Sequence, residues 1–350
     1  MKKILAVMLC AVVIIAFAVG CAQNQPPAGG AAPAADPAPA DAAPAPEAGG
    51  ADAQLVVAGV VFQEDQFMRL LQLGFEAAAE AAGARFIPGN TNGDAGVEAE
   101  LIQTFLTQEF DGLAISPISE IASVHVLRSA AENGLNIGVS NHLFEEPFLA
   151  GSFSSDNHTL GYTVGSAARA YIESELGGSA RIAIVQFQTL LPEQSGARVQ
   201  GFLDALEGVD FEIVTDQCAW LQDVAITTAS DILTAHPDID IIFSANEGGT
   251  IGSTMAVQNT GNAGNVVVFG FDGSEQMVQL LQDPINILQA SIAQDPFNIG
   301  VRTMEAVLRE ARGEANPEAG QAFIIPGILL DRNNPAGLEA FLADLQEKMG

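Results

Sequence analysis

Residues 55–89 read LVVAGVVFQEDQFMRLLQLGFEAAAEAAGARFIPG, and this stretch decides the fold. It begins with an apolar run, Leu55–Val61, that is typical of a buried parallel strand. Apolar residues at helical spacing follow over Phe67–Ala82, and Gly83 is in the position of a helix C-terminal glycine. A second apolar run, Arg85–Pro88, predicts the next strand. The stretch is therefore a strand–helix–strand unit of an α/β protein.

The same alternation continues along the chain. Further buried strands are predicted at Gly112–Ser116, Asn136–Ser140, Arg181–Gln186, Phe211–Thr215, Ile239–Ser244 and Val266–Phe271. Further helices are predicted at Gly96–Gln108, Glu120–Asn133, Gly161–Leu176, Ser195–Leu206 and Val224–Ala235. So many strands over a chain of this length fit two sheets better than one. We therefore predict an α/β fold with two doubly wound parallel-sheet lobes.

Composition and charge exclude several classes of protein. The chain has 350 residues, with 13 Lys and Arg against 43 Asp and Glu, for a net charge of −30. Such a surface repels nucleic-acid phosphates and anionic lipid headgroups, so neither is an expected partner. Hydrophobic residues make up 48% of the chain and charged residues 16%, which excludes disorder throughout.

The N-terminal residues predict export. Residues 1–20 have a charged start and an apolar stretch, the plan of a secretory signal peptide. The segment Ala18-Val-Gly-Cys21 resembles the lipobox of bacterial lipoproteins, which implies lipidation of Cys21. Residues 21–54, rich in Ala and Pro, predict a disordered tether. The alternative is an uncleaved membrane anchor.

The residues that would carry catalysis or bind a metal are scattered. Neither the three cysteines nor the four histidines have the spacing of a zinc site. Gly89–Gly93 lacks the Gly-x-Gly-x-x-Gly spacing of a phosphate loop. We therefore expect no metal and no cofactor. Amides, carboxylates, one arginine and aromatic residues follow the strands, and such a set suits a neutral hydroxylated ligand.

Six segments at the ends of these strands, in this order, resemble one family. They are Ser155–Asn157, Arg198–Phe202, Thr234–Asp238, Phe243–Glu247, Val268–Gly273 and Ala290–Pro296. The family is the type 1 periplasmic binding proteins of bacterial ABC transporters, in the ribose- and galactose-binding branch. The resemblance implies a ligand clamped between two lobes, residues 55–157 with 295–323 and residues 158–294 with 324–350. It places the three crossings near Asn157, Gln294 and Phe323–Gly327.

The resemblance carries a set of ligand contacts over to this chain. They are Asp65, Phe67, Met68, Ser116, Asn141, His142, Arg198, Trp220, Asn246, Asp272 and Gln294. It implies that Trp220 and Phe67 cover the C–H faces of a sugar, while Arg198 and Asp272 bind hydroxyl groups. Three of these residues have a structural alternative: Trp220 fixes its loop, Arg198 forms a salt bridge on a helix face, and Asp272 caps the following helix.

Four of these positions depart from the family pattern. Many ribose binders have Asp-Arg where this chain has Asn141 and His142, and have Asn where it has Ser116 and Asp65. The departures imply a different hydroxyl stereochemistry, so a pentose, a hexose, a deoxyhexose and a polyol remain open. A solvent-facing loop position is the alternative for His142.

These observations together predict a monomeric extracytoplasmic receptor, anchored to the cell membrane through lipid alone. It captures a neutral monosaccharide or polyol and delivers it to an ABC permease, in the periplasm or on the outer face of the cytoplasmic membrane. Alternatives are a receptor for chemotaxis or a sensor kinase, and a binder of a nucleoside or a furanosyl autoinducer. We expect no enzyme, because a hydrolase would have to use carboxylates such as Asp65 and Asp272 as acid and base.

Overall fold

The computed structural model describes residues 54–119 and 121–349. The predicted signal peptide, the lipobox and the tether up to residue 53 lie outside the described residues. Within the described part of the chain, no helix has the length and the apolar character needed to cross a membrane.

Strands and helices alternate along the chain, as residues 55–89 predict. The first elements are β1 Val56–Val61, α1 Gln66–Ala81, β2 Arg85–Asn90, α2 Ala95–Thr107, β3 Gly112–Ile115, α3 Ala122–Glu132, β4 Asn136–Ser140 and β5 Leu149–Ser154. Then follow α4 Asn157–Glu175, β6 Ser179–Gln186, α5 Pro192–Ala205, β7 Asp210–Cys218, α6 Gln222–Ala235, β8 Ile241–Ser244, α7 Glu247–Asn259 and β9 Val267–Phe271. The last elements are α8 Glu275–Gln282, β10 Leu288–Ala293, α9 Pro296–Ala311, β11 Ala322–Ile324, β12 Ile328–Asp331 and α10 Pro335–Met349.

The strands of the described residues form two six-stranded sheets. The first has the order β11-β5-β4-β3-β1-β2 and the second the order β12-β10-β9-β8-β6-β7. Neighbouring strands are parallel, except that β12 runs antiparallel to β10. Strands β3, β8 and β9 are buried at every position, as expected for strands covered by helices on both faces. The predicted fold class is confirmed.

Several helices begin immediately after a strand and are capped by a polar side chain. Asp65 accepts a hydrogen bond from the backbone N–H of Met68 at the start of α1. Asn246 accepts one from Gly249 at the start of α7, and Ser274 one from Met277 at the start of α8. The caps hold these polar side chains at the carboxyl ends of the strands, where ligands of open α/β sheets bind.

The chain passes between the two sheets three times. It leaves the first sheet after β5, returns to it after β10, and passes from β11 to β12 through residues 325–327. Helix α9 then packs on α1 and on strands β3, β4 and β5 of the first sheet. The lobe boundaries given above remain a prediction.

Helices α4 and α5 pack backbone against backbone through glycines. A Cβ atom on Gly201 would lie 2.0 Å from the carbonyl oxygen of His158, and one on Gly161 would lie 2.1 Å from that of Arg198. The atoms that an added Cβ would meet belong to the main chain, so they cannot rotate away as the end of a flexible side chain could. The close approach also places Arg198, on α5, beside the first turn of α4.

We expect Gly201→Ala to lower the free energy of unfolding by about 3 kcal/mol, because the helices must move apart. Gly196→Ala on the same helix is the matched control, since no atom lies within 4 Å of its added Cβ. The control should raise the free energy of unfolding by about 0.5–1 kcal/mol through helix propensity. Urea unfolding measures both variants, and equal effects would contradict the packing argument.

The structure departs from the predicted elements in a few places. Helix α4 begins at Asn157 rather than Gly161, because Asp156 caps it through the N–H of Thr159. Strand β7 extends to Cys218 rather than Thr215, so Trp220 follows it almost directly. Strands β5, β10, β11 and β12 were not predicted; β11 and β12 have only three and four residues.

Candidate functional site

A cavity of about 410 Å³ lies at the carboxyl ends of strands from both sheets. The first sheet contributes the segment after β1, residues 62–68, and Asn141 after β4. The second sheet contributes the segments after β6, β7, β8 and β9, with residues of α5 and α8. A volume of this size suits one small ligand.

Nine of the eleven sequence-predicted residues line the cavity. They are Asp65, Phe67, Met68, Asn141, Arg198, Trp220, Asn246, Asp272 and Gln294. The structure brings them together from seven separate segments of the chain. Their roles as ligand contacts remain predictions.

Ser116 and His142 do not line the cavity. Ser116 is fully buried after β3, and its hydroxyl has no hydrogen-bond partner among the described residues. The His142 ring is 2% exposed, stacks on Phe144 and lies 2.9 Å through Nε2 from the carbonyl oxygen of Pro117. The solvent-facing alternative for His142 is therefore wrong, since tertiary packing turns the ring inward.

Asp272 is held by three neighbours. Its Oδ1 accepts a hydrogen bond from Nε2 of Gln294 at 3.1 Å, and its Oδ2 accepts one from the backbone N–H of Glu247 at 2.9 Å. Arg198 lies 3.8 Å from the same Oδ2. The backbone of Asp272 has a φ of 70°, in the left-handed region that Asp and Asn tolerate better than other side chains. The carboxylate therefore has a fixed orientation at the cavity wall.

Arg198 is fixed just as firmly. Its Nε donates to Oδ1 of Asn157 at 2.8 Å, and its Nη1 donates to the carbonyl oxygen of Ala245 at 2.8 Å. The guanidinium also lies over the rings of Phe187 and Phe271, 5.1 and 4.5 Å from their centroids. Burial lowers the pKa of Arg198, and the negative charge of Asp272 opposes that effect.

The opposite wall comes from the first turn of α1. Asp65 accepts from the N–H of Met68 at 2.8 Å and from the side-chain amide of Gln63. Burial raises the pKa of Asp65; hydrogen bonding by the Met68 N–H opposes this, and the charge of Asp272 adds to it. Met68 is 2% exposed, whereas Phe67 is only partly buried. Phe67 therefore presents more of its surface to the cavity than Met68 does.

Trp220 and Asn246 form one corner of the second wall. The side-chain amide of Asn246 donates to the carbonyl oxygen of Trp220 at 2.9 Å, and a Cβ on Gly248 would lie 2.2 Å from the same oxygen. Contacts of the Trp220 backbone therefore fix this loop, and the indole lines the cavity.

Sequence reasoning missed several polar residues of the site, and Gln194 and Glu247 are two of them. Gln194, 5% exposed, lines the cavity and donates to the carbonyl oxygen of Asn141 at 2.6 Å, which links α5 to the segment after β4. Glu247 also lines the cavity, directly after Asn246. Glu247 follows strand β8 and ends Phe243–Glu247, one of the six segments that carry the family resemblance. This position could have identified it as a candidate site residue from the sequence.

Glu247 has an unusual protonation equilibrium. Burial raises its pKa to about 7, a hydrogen bond with Ser274 partly opposes the shift, and the charges of Asp272 and Asp65 add to it. Because the pKa exceeds the ordinary value of 4.5, the folded protein binds this proton more tightly than the unfolded chain does. The contribution of Glu247 to the free energy of unfolding therefore falls as the pH rises from about 4.5 to about 7.

We expect Glu247→Gln to be more stable than the wild-type protein at pH 8 and to lose that advantage by pH 4. The difference in free energy of unfolding at pH 8 should reach about 3 kcal/mol at most, since one pKa unit corresponds to about 1.4 kcal/mol. Urea unfolding at several pH values measures it. The same change at Glu275, an exposed residue in the first turn of α8, should give a small difference with little pH dependence.

The described residues contain no group of three or more His, Cys, Asp or Glu side chains arranged to hold a metal ion. The arrangement presents instead hydrogen-bonding groups of fixed direction and two aromatic surfaces.

Residues 56–315 match the family described as the periplasmic binding protein domain. The chain belongs to this family. The family resemblance of the six segments is thereby confirmed. The expectation that the chain is not an enzyme is also confirmed, because the family consists of binding proteins.

Two relatives and one solved structure illustrate the similarity of this periplasmic binding protein to known proteins. The ABC transporter periplasmic-binding protein YphF of Escherichia coli is 23% identical over 276 residues, which is 75% of this chain and 84% of the relative. The ribose import binding protein RbsB of Bacillus subtilis is 26% identical over 242 residues, 69% of this chain and 76% of the relative.

The solved structure is a carbohydrate transporter solute binding protein from Agrobacterium radiobacter in complex with D-arabinose. It matches with a TM-score of 0.74 at 18% identity, over 82% of this chain and 98% of that chain. At this identity the likeness establishes the fold.

Proposed function

We propose that this protein is a lipid-anchored, extracytoplasmic binding protein that captures a neutral sugar or polyol in the cavity between its two sheets and delivers it to an ABC permease. The observation that carries the proposal is the Asp272–Arg198 pair, fixed in direction by neighbours and facing a cavity with Phe67 and Trp220 in its walls. A carboxylate and a guanidinium bind hydroxyl groups, and aromatic rings cover C–H faces.

Charge supports a ligand without an anionic group. Four carboxyl groups line the cavity, from Glu64, Asp65, Glu247 and Asp272, against the single guanidinium of Arg198. A phosphate or carboxylate on the ligand would have to enter this field with Arg198 already paired to Asp272. Sugar phosphates and sugar acids are therefore disfavoured.

The names of the relatives agree with this ligand class. One relative is a ribose import protein, and the related solved structure holds D-arabinose. The departures at Asp65 and Asn141 favour a ligand other than ribose, so pentoses, hexoses, deoxyhexoses and polyols are the compounds to test.

The connections of the site support closure on ligand binding. Asn157 begins α4 at one crossing and accepts from Arg198, while Gln294 stands at the second crossing and donates to Asp272. A ligand on the Asp272–Arg198 pair therefore acts on two crossings directly. Closure of the lobes would present the form that a permease recognises.

Thermal unfolding of the purified protein with a panel of neutral sugars and polyols tests the ligand class. At 100 times its Kd, a bound ligand adds about 2.7 kcal/mol to the free energy of unfolding. At least one neutral compound should raise Tm and change the fluorescence of Trp220, the chain's only tryptophan. The corresponding sugar phosphates should do neither. A panel in which nothing binds, or only phosphates bind, would contradict the proposal.

Fractionation of host cells tests the anchor. The wild-type protein should appear in the membrane fraction with an acylated N-terminal cysteine at Cys21, detected by mass spectrometry. A Cys21→Ser variant should lack the acyl groups. An unmodified Cys21 in the membrane fraction would favour the uncleaved anchor instead.

A further inference from the structure

The cavity has more negative charge than its own residues neutralise. Arg198 is the only cationic group in its lining among the described residues, and it lies against Asp272. Two hydrogen bonds, to Asn157 and Ala245, occupy two of its nitrogens. Asp65 and Glu247 form no salt bridge with any described residue. Glu64 is exposed, so the cavity holds two partly buried carboxyl groups, those of Asp65 and Glu247, without a cationic partner among the described residues.

Hydrogen bonds satisfy these two groups only in part. Asp65 accepts from the Met68 N–H and from Gln63, and Glu247 accepts from Ser274. An ionised carboxylate has about four lone-pair positions, so each group retains capacity to accept. Water fills that capacity while the cavity is open, and a ligand that closes the cavity must replace it or leave the charge desolvated.

Asp65 and Glu247 lie on different sheets and act on each other. Asp65 precedes α1 on the first sheet, and Glu247 begins α7 on the second. The charge of Asp65 raises the pKa of Glu247, and the charge of Asp272 raises the pKa of both. Both carboxyl groups line the same cavity and their negative charges repel, so a positive charge between them would relieve the repulsion.

A primary ammonium group fits this environment. It donates three hydrogen bonds and accepts none, so it matches a place surrounded by acceptors. The hydroxyl groups of the same ligand remain available to Asp272, Arg198 and Asn246.

We propose that the cavity binds sugars and polyols carrying one protonated amine more tightly than their neutral parents, with the ammonium group between Asp65 and Glu247. The inference rests on the proposed function and adds a positively charged class of ligand to it. Asp65 and Glu247 then set specificity: they select for a cation at one end of a hydroxylated ligand.

The preference should depend on pH through Glu247. The groups that face it are Asp272 after β9, Asp65 before α1 and Ser274 before α8. Of these only the two aspartates are charged, and both favour the protonated form of Glu247. An ammonium group favours the ionised form, so its binding should release a proton from Glu247 near neutral pH and strengthen as the pH rises from 6 to 8. A primary alkyl amine stays protonated over this range, as a lysine side chain does.

Isothermal titration calorimetry of matched pairs tests the proposal on the purified protein. The pairs are D-glucitol with its 1-amino-1-deoxy derivative, and D-galactose and D-glucose with their 6-amino-6-deoxy derivatives, together with the same derivatives of any neutral compound that raises Tm. We expect at least one amino member to bind about tenfold more tightly than its parent at pH 8, which corresponds to about 1.4 kcal/mol. The ratio should shrink at pH 6. Titrations in buffers of different ionisation enthalpy should show proton release with the amino member alone.

Variants distinguish the effect of Asp65 and Glu247 on amine binding from the effect of the protein's overall negative charge. In Glu247→Gln and Asp65→Asn the ratio of the two affinities at pH 8 should approach one, whatever the affinity for the neutral parent. Glu275→Gln removes an exposed carboxylate of α8 that does not line the cavity, and it should leave the ratio unchanged.

The outcomes distinguish this inference from the function on which it rests. Neutral compounds that bind as tightly as their amino derivatives at pH 8, or more tightly, overturn the inference and leave the proposed function intact. Binding of none of the sugars, polyols or derivatives overturns both. A ratio that falls equally in Glu275→Gln also overturns the assignment to Asp65 and Glu247.

Discussion

Replacement of Asp272 by asparagine is expected to weaken binding of the sugar or polyol about 100-fold, which corresponds to about 2.7 kcal/mol. The amide retains the shape of the side chain and tolerates the positive φ of 70° at this position. Its NH₂ group cannot accept: on the Oδ2 side it would face the Glu247 N–H, which can only donate, and on the Oδ1 side it would require the Gln294 amide to turn its oxygen inward. Charge-assisted hydrogen bonds to ligand hydroxyl groups are lost as well.

The same variant should also lower Tm, since Arg198 loses the one carboxylate partner that it has among the described residues. Asp238→Asn is the matched control, because Asp238 pairs with Arg181 on the surface and is 65% exposed. The control should change neither the affinity nor Tm by a measurable amount. Calorimetric titration with a ligand found in the neutral panel gives the affinity, and an unchanged affinity in Asp272→Asn would exclude Asp272 as a ligand contact.

Replacement of Arg198 by methionine is expected to lower the free energy of unfolding by about 3 kcal/mol. Methionine keeps a long apolar side chain against Phe187 and Phe271 but removes the donors to Asn157 and Ala245. Asp272 is left beside Glu247 without a cation. Binding should also become too weak to measure by calorimetry.

A double-mutant cycle measures the coupling energy between Arg198 and Asp272. If Arg198 and Asp272 stabilise each other, Arg198→Met with Asp272→Asn should cost less than the sum of the two single changes, because neither charge remains unpaired. Arg169→Met on α4 is the control, since Arg169 is exposed and pairs with Glu173. Additive effects in urea unfolding would show that the 3.8 Å contact contributes no coupling.

The sequence predicted eight of the twelve strands of the described residues because buried parallel strands are continuous apolar runs. Asn136–Ser140 was predicted with its observed bounds, and Gly83, Gly134 and Gly177 all have positive φ at helix ends. The strands that the sequence did not predict lack such an apolar run or are very short. Strand β5 contains Gly and Ser, and β11 has three residues that form a strand only by pairing with β5. Local pattern carries no signal for pairing of that kind.

The candidate site was predicted through the resemblance rather than from the residues alone. The family pattern named Arg198, Trp220 and Asp272, and all three line the cavity. It also named Ser116 and His142, which the structure buries behind the lining, and it passed over Glu247. A position at a strand end is visible in the sequence, but the direction of its side chain depends on the loop that follows.

By itself, the sequence determined the alternation of strand and helix, the glycines at helix C-termini and the negative charge of the chain. Each follows from local spacing or from composition, so no contact between distant residues is needed to predict it. Only the tertiary structure decided that Asp65 and Glu247, 182 positions apart, face one cavity with a single arginine. It also set the pKa of Glu247 at about 7, because that value depends on burial and on charges brought from both sheets.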